Sequence, residues 1–297
     1  MEFPTFDTYM LLANLTSYLS ILLDQPIQSI TPQSGGDISA AYKVETRSES
    51  FFLKMNGAPN ARSMFETEKA GLEAIKETGA IKTPDVLLIG DFEGHTFLLM
   101  EYIESRRATN SDVRLFGRQL AELHQVTSDK FGWRMDNFIG KLHQSNQCHD
   151  NWAAFYLHER IEPQIRSAFD QGLLGVNDLP KEGNMVTVFD AFFEGVKPSL
   201  LHGDLWGGNY LISTIGTPYL IDPAVYFGHG EVDIAMSQLF GGFGSGFYET
   251  YHETLPIQEG FEERIQLYQW YYLLVHLNMF GKGYYEGVKR VMKKYFF

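Results

Sequence analysis

A chain of 297 residues is long enough for two domains or one large one, and its 44% hydrophobic and 21% charged content is ordinary for a globular protein. A net charge of −13 argues against a nucleic-acid or anionic-membrane partner, and a single cysteine, Cys148, excludes an intrachain disulfide and cysteine-rich zinc sites. No basic segment precedes an apolar run near Met1, and no apolar run approaches membrane-spanning length, so a cytoplasmic protein is expected.

Residues 5–23 carry Phe6, Met10, Leu11, Leu15, Leu19 and Leu22 near helical spacing, which predicts a packing helix closed by Pro26. Extended runs then flank Ser34, Gly35 and Gly36. Paired glycines let a backbone approach a ligand and aim N–H groups at phosphate oxygens, although hairpin turns use the same residues. The strand predicted over 50–55 holds Lys54 among apolar neighbours. Such a lysine either guards a sheet edge or contacts nucleotide phosphates while pairing with a helix glutamate. The helix predicted over 61–77 offers Glu68, with Glu66 as the second choice. Strands over 83–91 and 96–103, joined at Glu93-Gly94, complete a strand-rich lobe over 1–103.

From 104 to 297 the pattern is mainly helical, with helices predicted over 112–126, 151–169, 185–195, from about 231, over 261–280 and over 284–295. Arg160 and Gln164 stand one turn apart, a spacing at which they could act together. His124 is expected to pack or cap, without a catalytic role, and Asp233 to cap a helix or brace the loop at 200–209. The glycine-rich run 241–246 lacks a following Lys-Ser/Thr and suits a helix terminator better than a phosphate loop.

Chemistry concentrates in residues 200–223, L-L-H-G-D-L-W-G-G-N-Y-L-I-S-T-I-G-T-P-Y-L-I-D-P. Asp204 and Asn209 sit five positions apart in one loop, and Asp222 lies beyond a predicted hairpin. Kinases use that order: one Asp takes the hydroxyl proton, the Asn holds a metal, and a later Asp binds Mg2+ between the phosphates. A polar turn between strands uses the same residue types. Gly203 in place of Arg, and Asp222-Pro223 in place of D-F-G, point away from ordinary protein kinases toward small-molecule kinases. On this reading Met100 faces adenine, and the backbone of Glu101, Tyr102 and Ile103 meets its edge. A plain core strand explains residues 96–103 equally well.

The motifs H-G-D-L-W-G-G-N and I-D-P-A-x-x-F-G-H-x-E-x-D-I-A resemble those of the fructosamine kinase family. The likeness runs nearly end to end, through S-G-G at 34–36, M-F-E-x-E around Glu66 and Glu68, F-G-W from Phe131, Q-S-N from Gln144 and W-x-x-F-Y-x-x-x-R-I-x-P-Q from Trp152. Asp204 with Asn209 is generic to the superfamily, and Trp206 with Gly207 and Gly208 is far more specific. The resemblance implies an α+β, two-lobed protein-kinase-like fold of the aminoglycoside phosphotransferase and choline kinase type. It also implies ATP- and Mg2+-dependent phosphorylation of the 3-hydroxyl of ketosamines, free or protein-bound, fructosamine or ribulosamine. Asp204 would accept or orient the hydroxyl proton, Asn209 and Asp222 would bind Mg2+, and Lys54 with Glu68 would hold the phosphates. Trp206 would lie against the sugar. Many relatives carry Cys where this chain has Asp37, so redox control at that position is not expected. Rival readings are a kinase of another small hydroxyl compound and a nucleotide-binding regulator without turnover.

Overall fold

The computed structural model describes residues 6–33 and 38–297. Strands β1 (Ser29–Pro32), β2 (Ala40–Glu45), β3 (Ser50–Asn56), β4 (Val86–Phe92) and β5 (His95–Glu101) form one antiparallel sheet in the order β1-β2-β3-β5-β4. Side-chain alternation assigns its faces. Phe51, Leu53, Phe97 and Leu99 pack with Leu15 and Leu19 of α1 (Phe6–Leu22). Leu98 and Met100 turn the other way, onto Phe65 of α2 (Ala61–Glu77). Lys54 is in register with Leu98 and shares this second face. Because β3 lies between β2 and β5, Lys54 is interior to the sheet, and the edge-lysine reading fails. Glu93 and Gly94 turn the β4–β5 hairpin with φ of 45° and 79°, the positive pair a tight two-residue turn requires.

After β5 the chain adds β6 (Ser105–Arg106), α3 (Asn110–His124), the hairpin β7 (Asn137–Ile139) and β8 (Leu142–Gln144), then α4 (Trp152–Phe155). A π-helical turn, Tyr156–Ile161, runs into α5 (Glu162–Asp170), followed by α6 (Glu182–Phe193) and β9 (Ser199–Leu201). The hairpin β10 (Tyr210–Ser213) and β11 (Pro218–Leu220) comes next, then β12 (Tyr226–Gly228), α7 (Glu231–Leu239), α8 (Ser245–Thr254), α9 (Phe261–Phe280) and α10 (Tyr285–Tyr295). β6 pairs with β10, which ties the connector from the sheet directly to that hairpin. Helix α9 buries Leu267, Tyr268, Trp270, Tyr271, Leu274 and Val275, most of its circumference, as expected of a helix at the centre of a core. Around it Trp152, Tyr156, Phe193 and Tyr268 pack with ring centroids 5.1–6.3 Å apart.

Two local expectations change and a third holds. The helix expected over 151–169 is interrupted by the π turn, a form common at sites of special demand. Arg160 and Gln164 therefore do not act together: Arg160 bonds to Ser145 and Asn146, while Gln164 accepts from Asn278. The glycine run does terminate α7, with positive φ at Gly241, Gly242 and Gly244, and α8 begins within it, at Ser245.

Arg160 is fully buried, and among the described residues no carboxylate pairs with it. Its guanidinium lies 4.0 Å from the Tyr226 ring centroid and 4.6 Å from that of Phe155. Its two Nη atoms donate to Ser145 O at 2.5 Å and Asn146 Oδ1 at 2.6 Å. Aromatic faces and fixed carbonyls thus compensate the charge. Arg160→Ala should lower unfolding stability by about 3–5 kcal/mol, from a cavity plus orphaned acceptors. Chemical denaturation would show it, and a loss under 1 kcal/mol would refute this account.

Candidate active site

The loop after β9 is strapped down from below. Asp233, fully buried near the start of α7, accepts the backbone N–H of His202 at 2.7 Å and of Gly203 at 2.9 Å. Its Oδ2 also meets His124 Nε2 at 3.1 Å, and His124 Nδ1 meets Tyr251 Oη at 2.8 Å. Asp233 is therefore the loop's brace, and His124 a buried support for it. From above, Tyr272 Oη donates to Gly203 O at 2.9 Å. Gly203 has φ of 86°, and a Cβ there would fall 2.1 Å from Ala224 O, so an arginine of the protein-kinase pattern has no room.

His202 donates Nε2–H to the carbonyl of Ile221 at 2.8 Å, and its Nδ1 accepts from Asp204 N at 3.3 Å. Burial pulls the imidazole pKa down, which suits this neutral tautomer. One histidine thereby joins the loop to the residue before Asp222. Asn209 adds a second tie, because Ile221 N donates to its carbonyl at 3.1 Å.

Asn209 Nδ2 donates to Asp204 O at 2.9 Å and to Asp204 Oδ2 at 3.1 Å. A backbone carbonyl only accepts, so the amide orientation is fixed and Oδ1 is left over. The Asp204 carboxyl is raised to about 7, first by burial and then by the nearby Asp222 charge, against the pull of Asn209. Asp222 adopts φ of 55°, unusual for a residue with a side chain, at the end of the hairpin.

Lys54 Nζ donates to Glu68 Oε1 at 2.7 Å and also to Asp222 Oδ1. Burial alone would lower its pKa, but Asp222 and Glu68 outweigh that and raise it. Burial pushes Glu68 upward against the attraction of Lys54. Glu68 is thus the partner of the lysine, whereas Glu66 contacts Arg62 at the surface, 3.6 Å away.

One cavity of about 890 Å³ collects Lys54, Glu68, Met100, Glu101, Tyr102, Ile103, Asp204, Trp206, Asn209 and Asp222. The expected Ser34, Gly35 and Gly36, with Asp37, lie outside the described residues. Trp206 is 41% exposed at this cavity, and its indole sits over Gly208, where a Cβ would fall 2.4 Å from the ring. Sequence reasoning missed the far wall, which includes Phe138, Phe240, Tyr272, His276, Phe280 and Tyr284. A signal for part of it existed: Tyr272, His276 and Phe280 recur every fourth residue along α9.

The sequence profile described as fructosamine kinase matches residues 13–297. A protein from Enterococcus faecium named a probable ketoamine kinase is 36% identical over 272 residues, 90% of this chain and 95% of that one. A protein from Oryza sativa subsp. japonica named a chloroplastic protein-ribulosamine 3-kinase is 38% identical over 275 residues, 91% of this chain and 79% of its own length. Among solved structures, one from Haemophilus somnus bearing a provisional fructosamine-3-kinase name superposes with a TM-score of 0.84 at 29% identity, covering 94% of this chain and 96% of its own. An aminoglycoside phosphotransferase aligns at a TM-score of 0.60 and 16% identity over 94% of this chain and 98% of its own, a likeness of fold alone. The architecture is therefore kinase-like, and the chain belongs to the fructosamine kinase family.

Proposed function

We propose that the chain transfers the γ-phosphoryl group of ATP to the 3-hydroxyl of a ketosamine, a ribulosamine or fructosamine adduct of an amine. The observation that carries this reading is the convergence of Asp204, Asn209, Asp222 and the Lys54–Glu68 pair on one cavity in a fructosamine kinase family member. We place the lobe boundary at residue 103, with residues 1–103 holding the nucleotide and 104–297 the acceptor. Met100 and the backbone of Glu101, Tyr102 and Ile103 are assigned to adenine, and Ser34, Gly35 and Gly36 to the phosphates. No helix among the described residues is long and apolar enough to cross a membrane, and cytoplasmic action is proposed.

The donor set fits Mg2+. Among the described residues, four carboxylates, Glu68, Glu101, Asp204 and Asp222, line the cavity with Lys54 as the one lysine, an unfavourable field for a bare polyphosphate. Asn209 Oδ1 and the Asp222 carboxylate are hard oxygen donors. Among the described residues no group of three or more His, Cys, Asp or Glu could hold a metal alone. Phosphate oxygens and water would complete the shell, the usual arrangement for this ion. When bound, Mg2+ would neutralise phosphate charge during transfer.

The protein's own part is positioning and proton handling. Lys54, held straight by Glu68, aims its ammonium at the phosphates. Trp206 offers a flat face to the sugar. Asp204 orients the acceptor hydroxyl and takes its proton, for which a carboxyl near 7 is suitably basic.

The direct test is Mg2+- and ATP-dependent phosphorylation of a small ribulosamine and a small fructosamine. Absence of product from both, with ATP still bound, would refute the assignment. Asp204 must be ionised to accept a proton, so kcat/KM should fall as pH drops through about 7. The kcat profile should break at lower pH, because a cation beside the carboxylate favours its charged form. A flat kcat/KM between pH 5.5 and 8 would remove Asp204 as base, whichever sugar is used.

A further inference from the structure

The aromatic wall of the cavity built from Phe240, His276, Phe280 and Tyr284 has no role in the assignments above. His276 stands at its centre, with ring centroids of Phe240, Tyr284 and Phe280 at 4.7, 5.0 and 5.4 Å. Phe240 is 37% and Phe280 51% exposed, a high exposure for large apolar side chains lining a cleft. His276 Nδ1 lies 2.7 Å from the carbonyl of Tyr272, so Nδ1 carries the proton and donates. Its Nε2 has no hydrogen-bond partner among the described residues. Burial lowers the pKa of this imidazole, which keeps Nε2 an acceptor at neutral pH. The wall therefore presents π faces around one lone pair, in a cavity whose one lysine among the described residues is already committed to Glu68 and Asp222.

We propose that Phe240, His276, Phe280 and Tyr284 receive the cationic secondary amine of the ketosamine, and so select sugar–amine adducts over free sugars. Aromatic faces attract a cation through their quadrupoles, and Nε2 accepts its N–H. A neutral polyhydroxylated sugar would instead require several donors and acceptors, and this wall supplies few. The register along α9 also agrees. Tyr272 bonds to Gly203, the neighbour of Asp204, and His276 lies four residues, about 6 Å along the helix, further on. In a ketosamine the amine nitrogen is four bonds from the 3-hydroxyl oxygen. A substrate with its 3-hydroxyl at Asp204 thus has its amine at the level of His276. This inference rests on the ketosamine reading and goes further by naming what reads the amine.

The test compares a ketosamine with an isostere whose N–H is replaced by an ether oxygen, in wild type, Phe280→Leu, Phe280→Tyr and His276→Leu. Wild type should favour the amine about tenfold or more in kcat/KM. Phe280→Leu and His276→Leu should shrink that preference severalfold through the acceptor KM, leaving the ATP KM and Tm in place. Phe280→Tyr, which keeps a π face, should restore it. A wild type indifferent to the swap, or variants that keep the full preference, would overturn the proposal. Variants that weaken both acceptors and ATP alike would assign these residues to packing and overturn it too. If wild type phosphorylates neither compound, the ketosamine reading itself falls and takes this inference with it; turnover with an unmoved ratio removes this inference alone.

Discussion

Asp204→Ala is expected to cut kcat about a thousandfold while nucleotide binding persists. Neither of the two polar side chains grouped with it among the described residues can take its place. Asn209 carries no basic group, and Asp222 is held by Lys54. Steady-state kinetics beside calorimetric ATP titration would check this, and a variant within tenfold of wild type would exclude Asp204 from proton transfer. The same carboxyl has a stability signature. Its folded pKa is raised to about 7, so between the ordinary carboxylate range and 7 the folded chain binds a proton that the unfolded chain releases. Stability contributed by that proton is full at low pH and is lost as pH rises through 7. Asp204→Asn should therefore raise Tm at pH 8 by more than it does at pH 5, in the absence of nucleotide and metal. The catalytic group would then be one that the fold tolerates at a cost.

The second large effect belongs to Asp233, which touches no part of the cavity. Asp233→Ala removes one buried carboxylate that two backbone N–H groups and His124 all use. Stability should fall by about 3–5 kcal/mol, as when one partner of a buried polar set is lost. Asp204 follows directly after those two amides, so a shift of about 1 Å in the loop should also cost on the order of 100-fold in kcat. Asp233→Asn keeps an acceptor and should recover part of both. The acceptor KM and kcat, measured on variants still folded by circular dichroism, separate the contributions. Full activity in a folded Asp233→Ala would refute the bracing role.

The candidate site was readable in the sequence where its parts are local. Asp204, Asn209 and Asp222 fall within one loop and hairpin, whose turn residues and apolar runs declare themselves. Lys54 and Glu68 were readable because a strand and the next helix each repeat with their own period. Asp233 was ambiguous, since an acid near a helix start caps far more often than it braces, and its partners lie 30 and 31 residues away. The hairpin over 137–144 was missed because each strand has three residues, too few to show alternation. What holds it is tertiary: Asn137 donates to Val225 O, Gln144 to Asn137, and Tyr271 to Gln144. Helix α8 was missed because its sequence, SGFYETYHET, is short and polar, and its burial comes from packing on α3.

The double attachment of Lys54 has a thermodynamic consequence. One ammonium joins Glu68 to Asp222, so on the proposed assignments the phosphates and the metal would take opposite ends of the same Lys54–Asp222 ion pair. A cation that takes Asp222 releases Lys54 toward the nucleotide, and a nucleotide that draws Lys54 away leaves Asp222 exposed to the cation. Each ligand thus lowers the cost of admitting the other, and linkage makes that help mutual. The cleft would be a cooperative receptor for the metal–nucleotide complex, discriminating against either component arriving alone.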